Sequence, residues 1–184
     1  MPRKSTRLTV ALLASAALVV ARPALAGPPL ICFPFDIGAA QSLPMGHANW
    51  HDTDPGYDTS HLVVDTLAIL APDAPVNVRM ETIRRATIYA ATNRALADSL
   101  LAALQERAQH PEAKTAALAV FDFGYLVETY REGQWAFPSK ALPAVDAIDG
   151  YQLVLKAHAM QSDAQMREAA NLILSGLPKK TATR

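Results

Sequence analysis

The sequence predicts an all-α protein of about six helices, set in antiparallel hairpins as a bundle or helical repeat-like array, with an irregular N-terminal arm. Three observations carry this. Apolar residues recur at spacings of three and four in six separate segments. Proline, glycine and asparagine fall between those segments, where helices stop. No alternating strand pattern survives, since Pro34 demotes the one candidate, Leu30–Phe35. One segment, Pro111–Arg131, is apolar almost all the way round, with Asp122 and Gly124 as exceptions between Ala116 and Val127. A helix apolar on every side must be covered on every side, so the other helices are expected to pack around it.

Residues 1–26 read as a secretory leader. Arg3, Lys4 and Arg7 are its basic start, and Leu8–Val20 is an apolar run of 13 residues, short of the ~20 that span a bilayer. Ala24-Leu25-Ala26 puts small residues where a signal peptidase reads, so cleavage is expected between Ala26 and Gly27, with delivery to the periplasm or outside the cell. No transmembrane segment is expected after processing. Loss of Arg3, Lys4, Arg7 and Arg22 leaves 13 of the 17 basic residues against 17 acidic ones, a net charge of −4. A mildly acidic chain without a Lys/Arg cluster lacks the positive footprint that nucleic acid requires. The remaining 158 residues suit one domain, and the single Cys32 forms either a free thiol or an intermolecular disulfide.

Residues 27–57 form the arm. Pro28, Pro29, Pro34, Pro44 and Pro55 forbid a long helix, while Leu30, Ile31, Phe33, Phe35, Leu43 and Trp50 are too apolar to stay in water. Asp36 is placed to cap a short helix over Ile37–Ser42. The helical domain covers 58–176. Thr59 or Ser60 opens its first helix, which Ala71-Pro72-Asp73-Ala74-Pro75 ends. The second runs from Val76 to Ala91 with Met80, Ile83, Thr87 and Ala90 inward and Glu81 and Arg85 placed as an i,i+4 pair. Thr92-Asn93 turns into the third, Arg94–Gln109, with Leu96, Leu100, Leu101, Leu104 and Ala108 inward. The central helix follows and stops at Gly133. A fifth spans Val145–Met160 with Tyr151, Val154, Leu155 and His158 or Ala159 inward. Ser162 or Asp163 caps a sixth, through Met166, Ala169, Ala170 and Ile173 to Gly176. Residues 177–184 read as a flexible tail.

Met80–Ala108 and Tyr151–Leu174 each resemble a tetratricopeptide-type hairpin in architecture, with small and aromatic residues at Ala86, Tyr89, Ala169 and Ala170. The words RMETIRRATIYA (Arg79–Ala90), FPFDIG (Phe33–Gly38) and FDFGYLVETY (Phe121–Tyr130) also resemble a group of exported bacterial proteins of unassigned function. That likeness implies the helical fold and the location, and it implies no activity and no site residues.

Four groups of residues bear on chemistry. His47, His51, Asp52 and Asp54, with Asp58 and His61, are ligand types for a divalent metal, and His47/His51 would share a face if helical. The spacing is neither His-Glu-x-x-His nor a calcium loop, since glycine comes early and no closing glutamate is present. An exposed, turn-forming loop is the plainer account. Asp122 sits on the helix expected to be buried, so it must be paired, hydrogen-bonded or protonated. Arg84, Arg85 or a tyrosine such as Tyr125 is its expected structural partner. The same residues would form a binding or catalytic site if they met a ligand instead. Arg79, Arg84 and Arg85 are suited to gripping an anion, or else form a solvated face. Trp135 and Phe137 either line a groove or plug the end of the core.

The function expected from this reading is an exported, soluble helical scaffold or protein- or peptide-binding module in the cell envelope, without catalysis and without a cofactor. The alternatives are a metal-binding protein using segment 47–61 and an enzyme with its site around Asp122.

Overall fold

A computed structural model describes residues 29–139, 141–161 and 163–176. The leader, its cleavage point, Ser162 and the 177–184 tail lie outside the described residues. Among the described residues there are seven α-helices and no strand: α1 (Pro29–Cys32), α2 (Leu62–Ile69), α3 (Val76–Ala90), α4 (Arg94–Gln109), α5 (Ala116–Ala136), α6 (Gly150–Met160) and α7 (Ala164–Gly176). None of them is long and apolar enough to cross a membrane.

The central helix is α5. It packs against α1, α3, α4 and α6, and every residue from Ala117 to Tyr130 is buried. Its apolar side chains join one core with Ile83, Tyr89, Leu100, Leu104, Val154 and Met166. Hydroxyls on so buried a helix need partners. Tyr125 donates to the Leu30 carbonyl (3.2 Å), Tyr130 donates to the Ala97 carbonyl (2.9 Å), and Thr129 shares a hydrogen bond with Thr87 (2.9 Å). These bonds fix α5 to α1, α4 and α3 in turn.

Several boundaries differ from expectation, each for a local reason. The helix expected from Pro111 begins at Ala116, because 113–115 form a turn in which Thr115 N–H donates to the Glu112 carbonyl. It also runs through Gly133 to Ala136. Gly133 is no stop here: a β-carbon at that position would collide with the Leu142 side chain, so the absent side chain serves packing. The helix expected from Val145 begins at Gly150. Asp149 caps it by accepting from Gln152 N–H (3.1 Å), and 145–148 form a turn. Of the expected stripe Val154 is buried and Tyr151, Leu155 and His158 are half-buried, while Gly150 and Ala157 complete the inner face.

The expected helix at Ile37–Ser42 is absent. Asp36 instead accepts from Gly38 N–H (2.9 Å) across a tight turn in which Gly38 takes a left-handed φ of 56°. The arm's helix is α1, with proline at its first position, where the missing N–H costs nothing. Thr59–His61 form a 3₁₀ turn capped by Asp58, and α2 follows. Asn93 caps α4 and Asp163 caps α7. The inward stripe of α4 is as read, with Leu100 and Leu104 buried and Leu96, Leu101 and Ala108 half-buried.

Candidate functional site

Helix α3 was expected to be half solvated, yet 13 of its 15 residues are buried, so it is a second central helix. Its polar side chains are spent on one another, on side chains of α5 and on the arm. Glu81 lies between two arginines on its own helix, with Arg84 (2.8 Å) and Arg85 (2.7 Å) donating to it. It also accepts from Phe35 N–H in the arm (3.0 Å). Arg84 donates onward to the carbonyls of Ile31 (3.2 Å) and Trp50 (3.1 Å), and Arg85 to that of Leu43 (2.5 Å). Three arm carbonyls are thus held by two guanidiniums that Glu81 orients. Burial raises the Glu81 carboxyl, but Arg84 and Arg85 outweigh that and hold it below its ordinary range.

The expected partner of Asp122 was Arg84, Arg85 or a tyrosine; the structure gives Arg79. Arg79 Nε donates to Asp122 Oδ1 (2.8 Å) and Nη2 to Oδ2 (2.5 Å), a fork-on-fork pair with both side chains buried. The remaining donors reach the carbonyls of Ala71 (2.6 Å) and Leu70 (3.2 Å), and Arg107 also donates to Leu70 (2.7 Å). Those carbonyls lie at the end of α2, where helical acceptors have no partner of their own. The cluster therefore ties α2, α3, α4 and α5 together. Burial raises the Asp122 carboxyl, against the pull of Arg79 and, more weakly, Arg107.

The other candidates stand apart from this cluster. Tyr125 is fully buried and stacks on Phe121 at 6.1 Å, with its proton held tightly by burial. Trp135 is not the expected plug: it is 87 % exposed, while Phe137 packs 5.8 Å from Trp50. His47 and His51 are exposed, and residues 47–51 are bends and turns, not a helical face. Asp52 accepts from Ala48 N–H (3.0 Å) and Asp54 from Gly56 N–H (2.8 Å), both as turn-formers. Among the described residues no three His, Cys, Asp or Glu side chains converge as a metal site would need. Cys32 is a half-buried free thiol, raised by burial and by Glu132.

Two features escaped the sequence. The first is Glu132, on the far end of α5. One carboxylate oxygen accepts from Leu30 N–H (2.8 Å) and Ile31 N–H (3.1 Å) in α1. Burial, helped by nearby Glu128, lifts its carboxyl from 4.5 to about 7 despite those bonds. Because folding raises this value, the protonated form belongs to the folded state. Its stabilisation is complete below pH 4.5 and is lost as the pH rises through about 7. Melting temperature should therefore fall between pH 5 and 8. Glu132→Gln, which still accepts from both amides, should flatten that fall and exceed the parent by about 1–2 kcal/mol at pH 8, a range discounted for solvent screening. Equal slopes for both proteins would remove Glu132 as the cause.

The second is a cleft of about 670 Å³ between the arm and α2. Leu43 and Pro44 form one wall, Ile69 and Val78 the other, with Asp65 and Asp73 at its surface. Tyr57 donates to Asp65 (2.8 Å), and Tyr89 donates to the Pro44 carbonyl (2.8 Å) from behind. The burial of Tyr57 and its bond to Asp65 push its hydroxyl far up, so it stays a donor. No distant charge signal in the sequence pairs residue 43 with residue 69; only the folded arm brings them together.

The class these observations define is a helical bundle built on two buried helices, with a proline-rich arm clamped along one of them. Comparison with protein families, characterised proteins and solved structures finds no match.

Proposed function

We propose that this protein is an exported scaffold or binding module that holds a peptide or protein partner in the cell envelope by contact and makes or breaks no bond. The observation that carries the reading is the cleft between arm and α2. Its volume is in the ~300–1,000 Å³ range of ligand pockets, and its lining is mainly apolar with a few polar groups. One wall is held in place before any partner arrives, because Arg85 and Tyr89 grip the carbonyls of Leu43 and Pro44. A wall fixed in advance spares the ordering cost of binding. Exposed Trp135 offers a second contact of the type that anchors protein interfaces.

The groups that an enzyme would use at Asp122 are engaged elsewhere. Both Asp122 oxygens accept from Arg79, and Arg79 also closes the end of α2. The expected result for Asp122→Asn is a lower melting temperature with partner capture from an envelope extract retained. An activity that disappears in Asp122→Asn while the melting temperature is unchanged would overturn the contact reading in favour of an enzyme.

A further inference from the structure

We infer that the cleft between the arm and α2 takes an extended peptide segment through a lysine or arginine side chain flanked by small apolar residues. The inference rests on the reading of the protein as a contact module and supplies the chemistry of its partner. Charge complementarity is the first argument. The charged groups among the described residues lining the cleft are Asp65 and Asp73, both acidic; the nearest arginines lie behind the walls, Arg85 on the Leu43 carbonyl with Glu81 as its partner and Arg79 on the Ala71 carbonyl with Asp122 as its partner. Tyr57 accepts no share of that charge; it donates to one Asp65 oxygen at 2.8 Å and so orients the carboxylate while leaving its sign intact. A ligand that is acidic would meet uncompensated repulsion, and a purely apolar one would leave two carboxylates partly desolvated without a counter-charge.

The second argument is the shape of the walls. The cleft is far larger than one ammonium group needs, and nine of its fourteen lining residues are aliphatic, among them Pro44, Ala68, Ile69 and Pro75. Lysine and arginine carry a long apolar stem behind the charge, which suits walls of this kind with carboxylates at the surface. The room left over is for neighbouring residues of the same chain. The wall on the arm side, 40–44, is without regular structure, and its position is fixed from behind by Arg85 and Tyr89. A segment lying along it would need no rearrangement of the bundle.

The test uses fluorescein-labelled, end-blocked heptapeptides of alanine and leucine whose central residue is lysine, arginine, norleucine or glutamate, read by anisotropy at low salt. The lysine and arginine peptides should bind at least about tenfold tighter than the norleucine peptide, and the advantage should shrink as salt rises. Asp65→Asn with Asp73→Asn, which keeps an acceptor for Tyr57, should bring all four peptides to one affinity. Ala68→Trp, at an exposed position of α2 in the cleft, should remove binding altogether while leaving the helical circular dichroism unchanged. Equal affinity for lysine and norleucine overturns the inference, as does a lysine preference that survives in the double asparagine protein. Spermidine binding in place of the peptides overturns it too. Should Ala68→Trp still retain a partner from an envelope extract, the cleft is the wrong surface and the contact reading stands. Should the unaltered protein retain none, the contact reading itself falls.

Discussion

Replacing Arg79 with alanine is expected to cost about 3–5 kcal/mol and to lower Tm by roughly 10 °C, read by thermal melting at pH 7. The cost has two sources. Asp122 would be left fully buried with both oxygens bare, and the carbonyls of Leu70 and Ala71 would lose donors at the end of α2. Arg79→Lys should recover little, because one ammonium cannot reproduce a planar fork that spans two oxygens and two carbonyls. Arg79→Met with Asp122→Leu should recover much of the loss, since a buried pair replaced whole by apolar groups of similar size is often neutral. An Arg79→Ala protein within 1 kcal/mol of the parent would refute the structural role assigned to the pair.

This pair also marks where sequence reading succeeds and where it stops. That Asp122 is buried follows from its neighbours Leu118, Ala119, Tyr125 and Leu126 on an all-apolar helix. Which arginine meets it does not follow, because Arg79 and Asp122 are 43 residues apart and their approach depends on how α3 crosses α5. The same limit applies to α3. Its apolar stripe at Met80, Ile83, Thr87 and Ala90 is legible, and all four residues are buried. Its charged face reads as solvated, because periodicity cannot register that arm carbonyls cover it. The turn at Thr92-Asn93, the cap at Asp163 and the breaks at Pro72 and Pro75 are local and readable, whereas the capping role of Asn93 shows only in the fold. The cleft was not, since its two walls come from segments with no shared pattern. Gly133 is the instructive failure: glycine after a long helix reads as a stop, yet here its missing side chain admits Leu142 from beyond the helix.

Gly124 is the other apparent anomaly of the central helix, and it carries the second large effect. In an open helix, glycine to alanine would stabilise by about 1 kcal/mol. At residue 124 the sign should reverse. A β-carbon there would lie 2.8 Å from Leu153 Cβ, 3.0 Å from the Gly150 carbonyl oxygen and 3.1 Å from Val154 N. Two of those three are backbone, so no side-chain rotation relieves the contact, and α6 must move away from α5 as a unit. Gly150 faces the same crossing from the other side: a β-carbon there would lie 2.7 Å from the Gly124 carbonyl oxygen and would run into the Glu128 carboxylate that pairs with Arg131. We expect Gly124→Ala to destabilise by about 1–3 kcal/mol net and Gly124→Val by more, in chemical denaturation. Once α6 has been displaced, a second β-carbon at Gly150 meets less resistance. The Gly124→Ala, Gly150→Ala protein should therefore lose clearly less than the sum of the two single losses. Strict additivity would mean that the two glycines do not share one crossing, and a stabilised Gly124→Ala would mean that α5 and α6 are not packed backbone to backbone.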